Sequence, residues 1–205
     1  MKFSWLLVIV TIAIPGATSA QQNALPQSKA PHATVVRSGE IMAAVGQNDT
    51  EALADTLLRV VPIEPKYNVA VAVVRQSGTD GHPPTAAFAH DDITEVYQII
   101  EGRGVLVTGG KLYSVKPVTD GKILREIGPS SKGNGIAGGT RTCVGPGDIV
   151  VIPPHTPHEF VEISTKRIVY TIIRIDSHRV LALHSHPHST CDGCRPAKSG
   201  NSGDL

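Results

Sequence analysis

Apolar residues change their spacing twice along this chain. Trp5 to Ile14 is a run of ten residues, apolar at every position but Thr11. Between Ser38 and Val61 the apolar positions recur at helical spacing: Ile41, Ala44 and Val45 share one face, and Leu53, Leu57 and Val60/Val61 share another. Ser38 is placed to cap the start, and Pro62 and Pro65 stop the run. Gly46-Gln47-Asn48-Asp49 divides this stretch into two expected helices, the second capped by Asp49 or Thr50. From Asn68 the spacing drops to two. Asn68–Arg75 reads as a strand, followed by a Gly/Pro loop through Pro84. Thr85–His90 and Glu95–Glu101 read as a strand pair joined by the acidic turn Asp91-Asp92, with Gly102-Arg103-Gly104 turning into Val105–Thr108. Lys111–Val118, Ile123–Ile127, Ile149–Ile152, His158–Ile163 and Ile168–Ile175 read as further strands. Pro129–Gly139 is rich in Ser and Gly and is expected to be a loop. Many short strands with regular turns and little helix predict an all-β, double-sheet jelly-roll barrel with a short N-terminal helical segment.

The first run changes the picture of where the chain begins its fold. Lys2 precedes it, Pro15-Gly16 breaks it, and Thr18-Ser19-Ala20 supplies small residues for a signal peptidase. A bilayer-spanning helix needs about twenty apolar residues, so the run reads as a leader, and a secreted or periplasmic location is expected. The organisation read from the sequence is a signal peptide at 1–20, a flexible arm at 21–37, a helical segment packing on the barrel at 38–66, the barrel at 67–183 and a disordered His/Cys tail at 184–205. At 205 residues this suits one domain with tails. Lys and Arg total 19 against 18 Asp and Glu, so nothing suggests a nucleic-acid surface, and no basic cluster suggests a lipid surface. In an exported protein three cysteines cannot all pair internally. A Cys191–Cys194 disulfide, or a bond from one of them to Cys143, are both open.

The candidate chemistry lies in two separated segments. His90-Asp91-Asp92-Ile93-Thr94-Glu95 spans one expected turn, and Gly147 to His158 runs through another. Two imidazoles and a carboxylate, His90, Glu95 and His158, make a donor set for one divalent ion, whether Fe, Mn, Zn, Ni, Co or Cu, with coordination positions left open. Phe88 and His90 alternate onto one face, as do Glu95, Tyr97 and Ile99, and those faces are expected to line the barrel interior.

These segments resemble the two motifs of the cupin superfamily. His90, then Glu95, then Gly102 follow the first motif, and Gly147, Pro153 and His158 follow the second. The sequence departs from the pattern twice. Phe88 stands where the motif has its first His, and His155 stands where the second motif has Gly. The resemblance implies a single-domain cupin barrel with the three ligands above, and it implies pairing into a homodimer. Cupin barrels host many activities, so function is a separate matter.

Around the three ligands, Phe88, Tyr97, His155 and Phe160 are the expected substrate-pocket residues. Two readings stand for His155: a further ligand or acid/base beside the ion, or a solvent-facing residue of a Pro-rich turn. Tyr97 either holds a substrate oxygen or donates a proton, or else fills the lumen. Phe88 and Phe160 read first as packing. The tail residues His184, His186, His188, Cys191 and Cys194 mix nitrogen and sulfur donors in no trusted zinc spacing. The expected partner is a small organic molecule. The expected function is a dioxygenase or a Lewis-acid lyase or isomerase, with a non-catalytic binding barrel as the alternative.

Overall fold

In the computed structural model, which describes residues 33–47, 51–78 and 86–183, the period-two stretches pair into two antiparallel sheets. In chain order the elements are α1 (Ser38–Gln47), β1 (Leu53–Ile63), β2 (Tyr67–Ser77), β3 (Ala87–His90), β4 (Ile93–Glu101), β5 (Gly104–Thr108), β6 (Lys111–Tyr113) and β7 (Lys116–Pro117). They continue with α2 (Gly121–Ile127), β8 (Ser130–Gly133), β9 (Gly135–Ala137), β10 (Thr140–Val144), β11 (Ile149–Ile152), β12 (His158–Ile163) and β13 (Arg167–Asp176). One sheet runs β1-β2-β13-β4-β11 and the other β10-β5-β12-β3-β8-β7, with β6 and β9 as a small separate ribbon. This is the expected all-β jelly roll.

The core lies between the sheets. Ala70, Ala72 and Val74 of β2, Tyr97 and Ile99 of β4, and Ile168, Tyr170 and Ile172 of β13 face Leu106 of β5 and Phe160 and Ile163 of β12. Along β13 the even-numbered residues point inward. Arg174 shares that parity and is almost fully buried. A second, smaller cluster sits outside the five-stranded sheet, where Ala44 and Val45 of α1 pack on Leu58, Val73 and Val169. No helix among the described residues is long and apolar enough to cross a membrane.

Four local expectations are corrected. Leu53–Ile63 is a strand, not the second helix. The run is apolar on both sides because α1 covers Leu58 while Leu57 and Val60 enter the main core, and a register shift between Leu57 and Arg59 lets Leu57 and Val60, three positions apart, face the same side. Two-sided burial in a strand mimics helical spacing. Next, β3 and β4 do not pair with each other: β3 joins the six-stranded sheet and β4 the five-stranded one, so Asp91-Asp92 carries the chain across the barrel. Residues 123–127 are helical, because the Asp120 side chain accepts from the backbone N–H groups of Lys122 and Ile123 and Gly128 ends the helix at φ 72°. Finally, Pro129–Gly139 contains β8 and β9 where a loop was expected. There the backbone pairs with β3 and β6, so apolar side chains are not needed to order it.

Gly102, expected at the β4–β5 turn, sits at φ 81°, and a Cβ there would run into the Arg167 carbonyl. The leader at 1–20, the greater part of the arm, the Asp49/Thr50 cap, residues 79–85 and the His/Cys tail lie outside the described residues. Cys191 and Cys194 lie there too, while Cys143 on β10 is an exposed free thiol.

Candidate metal centre

Three strands from both sheets bring the expected ligands together. His90 ends β3, Glu95 lies on β4, and His158 opens β12. Their ligand atoms all lie within 4.8 Å of one another, and all three residues are buried. Glu95 Oε2 is 3.4 Å from His90 Nε2 and 3.4 Å from His158 Nε2. The imidazole centroids are 5.1 Å apart.

What surrounds the rings decides which nitrogen faces the centre. His158 Nδ1 lies 2.9 Å from the Thr156 carbonyl, which only accepts, so Nδ1 carries the proton and Nε2 presents a lone pair. The Ser130 hydroxyl donates to Gly128 O at 2.9 Å, and its oxygen therefore accepts from His90 Nδ1 at 2.8 Å. In the neutral rings both Nε2 lone pairs thus aim at an anionic oxygen, an arrangement that needs positive charge between them, a metal ion or protons on the rings. Donors each about 2.1 Å from one ion stand some 3–3.5 Å apart, which is the spacing seen. The donor set fits a divalent ion, and Ser130 and the Thr156 carbonyl orient its imidazoles from behind.

Glu95 is held differently. Its Oε1 accepts from Arg174 Nε at 2.9 Å, and its Oε2 accepts from the Tyr97 hydroxyl at 2.8 Å. Arg174 in turn pairs with Asp55 through both terminal nitrogens and donates to the Glu126 carbonyl at 3.1 Å. Burial works to raise the Glu95 pKa. Cationic neighbours, His90 and His158 in their protonated forms and Arg174, outweigh it and hold the carboxyl well below the usual range. Burial lowers the Arg174 pKa, but Asp55 and Glu95 overcome this and keep the guanidinium charged. Burial also pushes His158 below its ordinary value against the pull of Glu95, which favours the neutral, ligating ring. For Tyr97, burial and then the Glu95 charge drive the phenol pKa well up, so it stays a hydrogen-bond donor.

A cavity of about 420 Å³ opens onto these residues. Phe88, Tyr97 and Phe160 line it. Phe88 stacks on His90 with centroids 6.4 Å apart, and Phe160 lies 5.4 Å from Tyr170. His155 does not line it. This expected pocket residue is exposed, adopts φ 59°, and uses its backbone N–H to bond the His90 carbonyl at 2.7 Å. Its position is one where positive φ is required and side chains are disfavoured, and its contribution to the site comes from the backbone. Asp91 and Asp92 stay at the surface, with Asp92 2.8 Å from His178.

The sequence reading missed Ser130, Arg174 and Asp55. Arg174 was detectable as a charge inside the apolar run Ile168–Ile175, at the parity of Tyr170 and Ile172. Ser130 gave no such signal, since it sits in a polar stretch with no alternation.

A family model described as the AraC-like ligand-binding domain matches residues 135–197, from β9 through His158 and beyond. No curated protein matches the chain. Among solved structures the chain is similar to a cupin-2 domain protein of Rhodospirillum rubrum, at 12% identity and TM-score 0.39, over 63% of this chain and 62% of that one. It is similar to recombinant oxalate oxidase in complex with glycolate at 17% identity and TM-score 0.39, over 63% of this chain and 53% of that one. It is also similar to the polyketide cyclase RemF from Streptomyces resistomycificus, at 14% identity and TM-score 0.37, over 62% of this chain and 72% of that one. The chain spans less than two thirds of the first two structures.

Proposed function

We propose that this chain is an exported cupin-type barrel that holds one divalent ion at His90, Glu95 and His158 and presents it to a small organic molecule. The supporting observation is the pair of Nε2 lone pairs, each fixed from behind and each 3.4 Å from the same carboxylate oxygen. An ion bound there supplies Lewis acidity and open coordination positions beside a cavity lined in part by Phe88, Leu106, Phe160 and Ile172. The chain's own residues set its surroundings: Arg174 and Tyr97 fix the carboxylate, and Phe88, where a fourth donor is missing, keeps one side of the site apolar. Oxygen insertion and a lyase or isomerase step both suit such a centre.

A non-catalytic binding barrel is the second reading. It is favoured by one feature: the Tyr97 hydroxyl and the Arg174 guanidinium are both committed to Glu95 and not turned toward a substrate. Export rests on the leader read in the sequence. Pairing into a homodimer gains support from β11, an edge strand whose Ile149 and Val151 are 64% and 61% exposed.

Elemental analysis of natively purified protein, with and without residues 184–205, tests the proposal. It expects one divalent ion per chain in both forms, and a metal-free wild-type protein overturns it. Oxygen uptake and product analysis with phenols, diketones and thiols then separate the catalytic readings. Ligand-dependent melting shifts with no product would favour the binding barrel.

A further inference from the structure

The charges around the cavity select what can enter it. Its lining includes four carboxyl residues, Glu51, Asp55, Glu95 and Glu126, against two cationic ones, Lys122 and Arg174; the Glu159 carboxylate turns to the outer face of β12, where it accepts from the Ile136 backbone N–H. Arg174 is unavailable to a ligand. Its side chain is 1% exposed, and its nitrogens are spent on Glu95, Asp55 and the Glu126 carbonyl. Lys122 is exposed on α2, one turn before Glu126, at the mouth of the cavity. A divalent ion added to this lining leaves it with no net positive charge to attract a second anionic group. The deeper wall is apolar: Val74, Phe88, Leu106, Phe160 and Ile172 surround the approach to the two imidazoles. An anionic group on a ligand can therefore be neutralised at the ion itself. A second one would sit among carboxylates or against hydrocarbon, with no buried cation to meet it.

We infer that the site takes an uncharged or singly charged molecule, which offers oxygen to the ion through one end and lays an apolar body against Phe88, Leu106, Phe160 and Ile172. Dicarboxylates and phosphate esters are refused. This inference rests on His90, Glu95 and His158 being the ion's holders and adds the substrate class to that reading. Glu126, which touches none of those three in the hydrogen-bond network, is the specificity-determining residue that excludes dianions.

The test is calorimetric titration of the metal-loaded full chain with catechol, oxalate and inorganic phosphate, with metal content measured in every sample. The catechol-to-oxalate affinity ratio on the protein is expected to exceed the same ratio for the free aqueous ion by about tenfold or more. In Glu126→Gln, with metal content unchanged, that excess is expected to shrink by about threefold or more through gained oxalate affinity. A wild-type ratio at or below that of the free ion overturns the inference, as does a ratio that Glu126→Gln leaves unmoved. Absence of metal from the wild-type protein is the separate failure of the coordination reading. The charge selection is then read on the metal-free chain, whose lining is more negative. Oxalate or phosphate binding there at least as tightly as catechol overturns it, and weaker binding upholds it.

Discussion

The two sheets hold their shares of the centre by different physics. The six-stranded sheet supplies His90 and His158, each fixed through Nδ1 by a neutral acceptor, the Ser130 hydroxyl and the Thr156 carbonyl. The five-stranded sheet supplies Glu95, fixed by a buried guanidinium that is itself balanced by Asp55 on β1. Neutral bonds cost little to lose and mainly set direction. A buried charge chain is different, because removing one member strands the others in a low-dielectric interior. The six-stranded side should therefore govern how well the site binds, and the five-stranded side whether the barrel folds with its site intact.

The sharpest break in that contrast is Arg174→Met. It leaves Glu95 buried without its cation and is expected to cost about 3–5 kcal/mol, read from urea unfolding. Arg174→Met combined with Glu95→Met should recover part of that loss, and a double variant no more stable than the single one would show that the charge chain is not the cause. Next comes Glu95→Gln, which keeps the shape but drops the charge. Metal should be lost on dialysis, while stability falls by about 1–3 kcal/mol from disturbed hydrogen bonding. Ser130→Ala probes the other sheet: metal affinity is expected to fall about 10–100-fold, with a stability change of only about 1 kcal/mol. Equal losses of stability in Ser130→Ala and Arg174→Met would erase the distinction. Phe88→His, which adds an imidazole beside His90, should tighten metal binding in a competition titration, and no change would place residue 88 away from the ion. The smallest effect is expected from His155→Gly, which relieves a positive φ and should stabilise the fold by about 1 kcal/mol without changing metal affinity.

The sequence made the inward face of β4 readable, since Glu95, Tyr97 and Ile99 alternate cleanly with exposed or half-buried neighbours. It also marked His90, Glu95 and His158, which the fold brings within 4.8 Å of one another, because their spacing within two strand-turn segments is short and local. What it concealed was tertiary. β1 looked helical because α1 covers its outer side, so both of its faces are apolar. Residues 123–127 looked like a strand because Ile123, Leu124 and Ile127 fit either period over so short a run, and only the Asp120 cap distinguishes them. β8 was hidden because its order comes from backbone pairing with β3, and with it went Ser130, 40 positions away from the ring it orients. Asp55 and Arg174 are 119 positions apart and meet only when β1 and β13 flank β2.

Anomalous diffraction at the absorption edge of the bound metal, from crystals of the full chain, tests the centre most directly. One peak is predicted within coordination distance of His90 Nε2, His158 Nε2 and Glu95 Oε2. A crystal whose only anomalous metal peak lies elsewhere in the chain would contradict the account.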